Sequence, residues 1–411
     1  MNASATYLVG GAVRDELLGI QAVEKDWVVV GCTPEEMLEK GFRQVGASFP
    51  VFLHPQSGEE YALARTEKKQ GHGYHGFKVD FHPGVSLEED LQRRDLTINA
   101  MAKDKAGKLI DPHGGQQDLE KRSLRHVSPA FVEDPLRVMR VARFAARFAH
   151  LGFTVHESTL ELMRKITRSG ELQHLAAERT WREIERAMES AKPSVFVSVL
   201  RQCEALEALL PEVNALFGVP QPEKYHPEID TGTHLLMALD IAADLCPGEA
   251  GIAFAVLLHD LGKGITPEKN WPSHIGHEAT GVALVDAVCE RLKAPNAMND
   301  LARKVCAGHL DCHRILEARP ATVQRMLERL DVYRGPKTLP AFVAACEADY
   351  RGREGLQDRP YRQGAFLLEA HRAATAVRAR DLGLEGLSGP EVGERLRQAR
   401  IDAIARVAGQ F

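Results

Sequence analysis

Apolar residues in the first hundred positions come in short runs separated by glycine and charge, the pattern of strands and brief helices. Tyr7–Val9 reads as a strand, Gly10-Gly11 as a turn, and Ala12–Leu18 as a helix ending at Gly19. Asp26–Val30 (DWVVV) is a strand stopped by Gly31. Thr33-Pro34-Glu35-Glu36 begins a helix, with a capping Thr, Pro in the first turn and acids at the positive end of the dipole. Val51–His54 and Glu60–Arg65 are further strands. The Gly- and charge-rich stretch from Arg65 to Phe77 reads as a mobile loop.

From about Leu119 the period becomes helical. Helices are expected over Arg137–Phe148, Leu160–Ile166, Thr180–Met188, Val195–Leu210, His234–Leu245, Ile252–His259, Ala279–Leu292 and Asp300–His309. Pro211 and the run Gly218-Val219-Pro220-Gln221-Pro222 mark a boundary between helical segments. The longest apolar run, Gly251–Leu258, is closed by His259 and Asp260, far short of the roughly 20 residues of a membrane span. With no secretory signal at the N-terminus, a cytoplasmic protein is expected.

Composition narrows the class. The 411 residues are enough for several domains and a large core, and 44% hydrophobic with 27% charged is ordinary for a globular chain. Seven cysteines, an odd number without a CxxC pair, point to buried or idle thiols rather than a disulfide framework. The net charge of −5 argues against a general nucleic-acid binder. Between Glu120 and Arg147, however, seven Lys/Arg stand against three acids, which suits a focused anionic ligand.

Three constellations carry candidate chemistry. Gly10 and Gly11 expose backbone N–H groups at a helix start, a phosphate-binding geometry, with Arg14 in the following turns. Alone, the pair is equally a plain turn. Glu24 and Asp26, two residues apart at the start of a strand, put two carboxylates on one face. Beside a phosphate turn they suit Mg²⁺, which takes hard oxygen ligands and substrate phosphates; in isolation they are a solvated strand start. On the helix following Asp134-Pro135, Arg137, Arg140, Arg143 and Arg147 fall within roughly 120° at 100° per residue, one basic face. Asp134 reads as that helix's cap.

The set LVGGAVRD, EKDWVVVG, RRDLTINAMA, IDPHGG and EDPLRVMRVARFAARF, in this order, resembles the class II tRNA nucleotidyltransferases, the bacterial CCA-adding enzymes of the polymerase-β-like superfamily. HDLGKG further on is similar to the HD phosphohydrolase domain of the family's multifunctional members. The resemblance implies an α+β fold. A nucleotidyltransferase head with a mixed sheet (1–118) precedes an all-α neck and body (119–222), an all-α HD domain (223–350) and a helical tail (351–411).

It also implies roles. Gly10, Gly11 and Arg14 would hold the triphosphate, and Glu24 and Asp26 the catalytic Mg²⁺, with Glu60 a weaker third carboxylate. Glu24 stands where many relatives have Asp, which keeps the charge on a longer arm. Arg94 and Asp95 would meet the ribose. Asp134 and Arg137 would read the Watson–Crick edge of C or A, rejecting G and U for want of a matching amine, and Arg140 and Arg143 would face phosphate or base. His234, His259, Asp260 and Asp349 would form the HD ligand set for Ni²⁺ or another divalent transition metal, with His274, His277 and His309 as candidate pocket residues.

The implied activity is untemplated addition of C, C and A to tRNA 3′ ends from CTP and ATP, releasing pyrophosphate. The loop after Arg65 would assist the switch from C to A. The implied second activity is hydrolysis of 2′,3′-cyclic phosphates, 2′-nucleotides and phosphomonoesters. The expected partners are tRNA, CTP and ATP, with no membrane, for a monomer or homodimer. A poly(A) polymerase of the same superfamily, a CC-only adding enzyme, and a phosphohydrolase whose front half only binds RNA are the alternatives.

Overall fold

A computed structural model describes residues 4–22, 24–45, 51–69, 77–335, 337–383 and 385–411. The chain forms two compact units, Met1–Thr180 with Val199–Leu209, and Trp181–Ser198 with Leu210–Phe411.

The first unit holds strands β1 (Ala5–Val9), β2 (Asp26–Val30), β3 (Arg43–Val45), β4 (Val51–Leu53), β5 (Glu60–Leu63), β6 (Thr66–Lys69), β7 (Phe77–Asp80), β8 (Ala102–Lys103) and β9 (Leu109–Ile110). Its helices are α1 (Gly11–Leu17), α2 (Pro34–Glu39), α3 (Leu87–Gln92), α4 (Gly115–Glu120), α5 (Leu136–Phe148) and α6 (Glu157–Arg168). Seven strands make a mixed sheet in the order β3-β4-β5-β2-β1-β8-β9, with β2 and β5 parallel and the other pairs antiparallel. The run DWVVV is explained by burial on both faces of the sheet. Val28 packs with Val9, Leu87 and Leu91, while Val29, its neighbour, packs with Met37, Phe52 and Leu63. Thr33 and Glu36 close a capping box at the start of α2, as their spacing predicts.

The expectation of an unstructured loop from Arg65 to Phe77 needs correction. β6 and β7 pair antiparallel, Thr66 opposite Asp80 and Lys69 opposite Phe77; residues 70–76 lie outside the described ones. The strand sequence TEKK holds no apolar residue, so it offers no hydrophobic period to read.

On α5, Arg137 and Arg143 are buried and Arg140 is half-buried. Several of these charges meet partners inside the unit. Arg140 donates through Nε to Asp95 Oδ2 at 2.8 Å, and Arg147 Nη2 reaches Asp15 Oδ2 at 3.0 Å. The Arg143 guanidinium lies 4.2 Å from the Phe144 ring centroid.

Helices α7 (Ala177–Met188), α8 (Pro193–Gln202), α9 (Ala205–Leu209) and α10 (Pro211–Asn214) follow. The single helix expected over Val195–Leu210 is two, because Glu204 takes φ 64° between α8 and α9. The second unit continues with α11 (Thr231–Leu245), α12 (Ala250–Leu258), α13 (His277–Leu292), α14 (Asn296–His313), α15 (Pro320–Arg329), α16 (Thr338–Arg351), α17 (Arg362–Ala376) and α18 (Gly389–Ala408). Helix α12 carries the longest apolar run. A helix apolar all round must be covered all round, and α11, α14 and α16 pack against it. No described helix is long and apolar enough to cross a membrane. All seven cysteines are unbridged, and all but Cys246 are buried.

The Asp95–Arg140 pair yields a test. Burial alone would raise the Asp95 carboxyl, but the Arg140 guanidinium and the Asn99 amide overcome it and hold it well below the usual carboxylate range. A depressed folded pKa means stability that is present above the unfolded value of about 3.9 and lost as pH falls through the folded one. Asp95→Asn should therefore lower unfolding free energy in urea by about 2–3 kcal/mol at pH 7. The difference should shrink as the pH is taken from 5 towards 3; a constant difference would refute the ion-pair account.

Candidate functional sites

The first site is made by strand register. The antiparallel pairing of β1 with β2 sets Val9 opposite Asp26, so the carboxylate stands beside the turn that leaves β1 at Gly10. On its other side the parallel pairing of β2 with β5 sets Glu60 next to Asp26. Glu24 and Asp26 are exposed. Desolvation by the protein around it raises the Asp26 carboxyl, Arg94 opposes the rise and the charge of Glu24 adds to it. This mutual repulsion, in a set of hard oxygen donors, fits a divalent cation such as Mg²⁺. Glu60 does not close the group, since Glu24, Asp26 and Glu60 are not among the preassembled three-ligand clusters of the described residues.

Gly10 has φ 70° and its N–H donates to Met101 O at 3.1 Å. A Cβ there would stand 2.7 Å from Arg94 Nη1, so glycine serves both the backbone turn and the close approach of Arg94. Arg94 is anchored by Asp90 Oδ2 at 3.2 Å and by Asn99 O at 3.4 Å, and its buried Nε has no partner. Of the arginines near the glycine turn, Arg94 thus sits against the turn with a donor unused and close enough to Asp26 to affect its charge.

Arg14 is placed differently from the sequence expectation. It is 3% exposed, donates to Asp15 Oδ1 at 2.8 Å and to Asn99 Oδ1, and lies over the rings of Phe144 and Phe148. Its guanidinium orders the start of α1 from inside, with Nη2 3.4 Å from where a Cβ on Gly11 would stand. Asp95 is likewise turned inward. It accepts from Leu96 N at 2.8 Å and Asn99 Nδ2 at 3.0 Å besides Arg140. Asp90, Asn99, Asp15 and Arg147 do structural work that sequence reading missed, because each is an ordinary polar residue until its partner is known.

Asp134 caps as expected, accepting from Leu136 N at 3.0 Å; its other oxygen is 3.8 Å from Arg179. Arg137 donates to the carbonyls of Ala130, at 3.1 Å, and of Arg93. These two bonds lock its guanidinium in one orientation.

The second site is a buried pocket in the helical unit. It gathers His234 from α11, His259 and Asp260 from the end of α12, His277 from α13, His309 and His313 from α14, and Asp349 from α16. The four residues expected as HD ligands do come together. His234 Nε2 is 3.0 Å and His259 Nε2 3.8 Å from Asp349 Oδ1, and His259 Nε2 is 3.1 Å from Asp260 Oδ2. Both His259 Nε2 and Asp260 Oδ1 are buried without a hydrogen-bond partner. Unpaired buried acceptors are costly, and a mixed imidazole and carboxylate set fits a divalent transition metal.

Burial pushes His259 towards neutrality, but the carboxylates of Asp260 and Asp349 outweigh it and raise its pKa. Burial pushes the two carboxyls up, and the facing cations pull both well below the usual range, His259 and Lys263 acting on Asp260, and His313 and His259 on Asp349. Lys263 donates to Asp260 Oδ2 and to Gln221 Oε1, both at 2.6 Å. Glu228 Oε1 lies 3.1 Å from His234 Nδ1 and orients that ring. His313 Nε2 is 2.6 Å from Asp349 Oδ2. Of the pocket candidates, His277 and His309 are at the site, whereas His274 turns its Nε2 to Pro220 O at 2.7 Å and joins no ligand cluster. His313 was missed, although it lies four residues after His309 on one helix face.

A Cβ on Gly262 would stand 2.0 Å from His277 O, so the turn after Asp260 lies flat on the start of α13 only because it is glycine. Gly262→Ala should push His277 away from Asp260. The expected result is lower stability by at least about 2 kcal/mol in urea unfolding. Unchanged stability would contradict this packing role.

Comparison with known proteins follows the two sites. Residues 6–125 match the poly A polymerase head domain, 152–217 the probable RNA and SrmB-binding site of polymerase A, and 231–341 the HD domain. The chain is 57% identical to the multifunctional CCA protein of Thioalkalivibrio sulfidiphilus over 99% of both chains. It is 58% identical to that of Pseudomonas aeruginosa over 97% of both. Its fold is similar to that of the Thermotoga maritima CCA-adding enzyme complexed with tRNA (TM-score 0.63, 19% identity, 99% of this chain and 91% of the other). It is also similar to a CCA-adding enzyme complexed with ATP (TM-score 0.66, 20% identity, 98% and 87%).

Proposed function

The chain belongs to the multifunctional CCA protein family, and on that premise we propose that it adds C, C and A to tRNA 3′ ends from CTP and ATP at the first site and hydrolyses phosphate esters at the second. The observation that carries the first activity is the register of β1 and β2, which brings Asp26 to the glycine turn against which Arg94 packs.

Glu24 and Asp26 would hold Mg²⁺, which when bound supplies charge stabilisation at the α-phosphate and lowers the pKa of the attacking 3′ hydroxyl. The backbone N–H groups after Gly10 and the guanidinium of Arg94 bind the triphosphate and orient it for displacement of pyrophosphate. Arg14 and Asp95 act through the residues they hold, fixing α1 and the segment around Asn99. Asp134 and Arg137 select the base. Their backbone bonds keep the carboxylate and guanidinium preorganised, so a base edge lacking the matching amine leaves them unpaired. Arg140 and Arg143 keep α5, and with it this pair, in place.

At the second site His234, His259, Asp260 and Asp349 would hold a divalent transition metal, which when bound activates water and polarises a phosphate oxygen. Glu228 orients His234, His313 orients Asp349, and Lys263 holds the Asp260 carboxylate. The substrates are 2′,3′-cyclic phosphates, 2′-nucleotides and phosphomonoesters, the lesions of a damaged tRNA end.

Product length tests the reading. With tRNA lacking its last three nucleotides, CTP alone should give two added residues and CTP with ATP three. Long A tails from ATP alone would mean poly(A) polymerase instead, and a stop at two with both nucleotides a CC-adding enzyme. Asp26→Ala should abolish addition and spare hydrolysis of a 2′,3′-cyclic nucleotide, and Asp260→Ala should do the reverse; loss of both from either change would refute two separate sites. Arg137→Ala should cut the preference for CTP and ATP over UTP and GTP by about 10- to 100-fold, read from kcat/KM; unchanged discrimination would remove the base-selecting role.

A further inference from the structure

Two cationic side chains border the second site besides its imidazoles, and they are partnered unequally. Lys263 Nζ donates to Asp260 Oδ2 and to Gln221 Oε1, both at 2.6 Å. The Arg353 side chain makes one hydrogen bond among the described residues, a long one of 3.4 Å from Nη1 to Tyr225 O. Its Nη2 is 3.6 Å from Asp349 Oδ1, within ion-pair range but beyond a hydrogen bond. Its buried Nε has no partner.

Local structure sets the guanidinium there. Helix α16 ends at Arg351, and a Cβ on Gly352 would stand 2.4 Å from Ala238 Cα, so the chain leaves the helix flat against α11. Gly352 O meets His234 Nδ1 at 3.0 Å, and the next residue, Arg353, turns back to Asp349. The Tyr350 ring, its centroid 5.5 Å from the guanidinium carbon, supports it. Asp349 Oδ1 is also the oxygen that faces His234 Nε2 at 3.0 Å and His259 Nε2 at 3.8 Å. Both histidine side chains are fully buried, whereas that of Arg353 is 12% exposed, so of these three groups Arg353 alone reaches solvent.

Internal roles do not account for this placement. A cation near the end of α16 complements the helix dipole without approaching Asp349. The Asp349 carboxylate already meets His234 at 3.0 Å and His313 at 2.6 Å. With a divalent ion held by His234, His259 and Asp349, the guanidinium faces a like charge across one oxygen. An anion on the outer side of the pocket answers both charges. We propose that Arg353 is a phosphate-binding residue of the second site, its Nη groups donating to the phosphoryl oxygens of the ester to be hydrolysed. The ligand class is a phosphate monoester or cyclic phosphate, whose non-bridging oxygens match the guanidinium fork. The inference rests on the reading of this pocket as a metal phosphohydrolase and adds the residue that recognises the charge of the substrate.

Equilibrium binding separates the two claims. The full chain carrying Asp26→Ala, which removes a front carboxylate, is loaded with Co²⁺ and titrated calorimetrically with inorganic phosphate. Binding at the second site is the part lost on adding Asp260→Ala. If nothing is lost, the reading of the pocket falls and the proposal with it. Arg353→Gln should weaken that binding by about 10- to 100-fold with Co²⁺ per chain unchanged. Arg353→Lys, which keeps the charge without the fork, should fall between. KM for a 2′,3′-cyclic nucleotide should rise in the same order. An affinity for phosphate in Arg353→Gln within about threefold of its parent would overturn the role of Arg353 and leave the reading of the pocket intact. Loss of Co²⁺ from either variant would make Arg353 a support of Asp349 instead, and would also overturn the proposal.

Discussion

Charge removed from water must meet opposite charge, and that constraint organises both units of this protein. In the helical unit, His234, His259, Asp260, His309 and Asp349 are all at most 3% exposed, and their inner faces are acceptors. Every outer face is already spent on a backbone carbonyl, on Glu228, on Lys263 or on His313. On the proposed reading, the protein supplies the second layer and leaves the first for a cation, which would link metal binding to the stability of this unit.

The first unit meets the same constraint without a metal at its core. Its buried carboxylates, Asp15, Asp90 and Asp95, are paired with Arg14 and Arg147, Arg93 and Arg94, and Arg140. These pairs tie α5 and the segment around Asn99 to α1, and so hold the glycine turn beside Asp26. Arg94, anchored by Asp90, stands against Gly10. A guanidinium held in place in this way forfeits little on meeting substrate, which is what a preorganised site needs.

The two chemistries then make sense together. On the proposed reading, nucleotidyl transfer at the start of the sheet's central strand would use exposed carboxylates, hard donors suited to Mg²⁺. Hydrolysis in the helical unit would use imidazoles fixed by carbonyls, donors suited to a borderline metal. Each donor set would then suit its own cation.

The sequence by itself determined the strands of the sheet's centre, the capped start of α2, the buried character of α12, the family, and the four residues expected as HD ligands, which the fold brings together. These rest on local period, capping chemistry and contiguous residues, and all of them survive without knowledge of partners. Tertiary structure alone decided what pairwise contacts control. It turned Arg14 and Asp95 inward, gave several arginines of α5 partners inside the unit, paired β6 with β7, and set Glu60 beside Asp26 through strand register. It also brought His277 and His309, on separate helices and 32 positions apart, to the free oxygen of Asp260. A charged side chain reads the same in sequence whether it faces solvent, a ligand or a buried partner; only the packing of distant segments fixes which of these it meets.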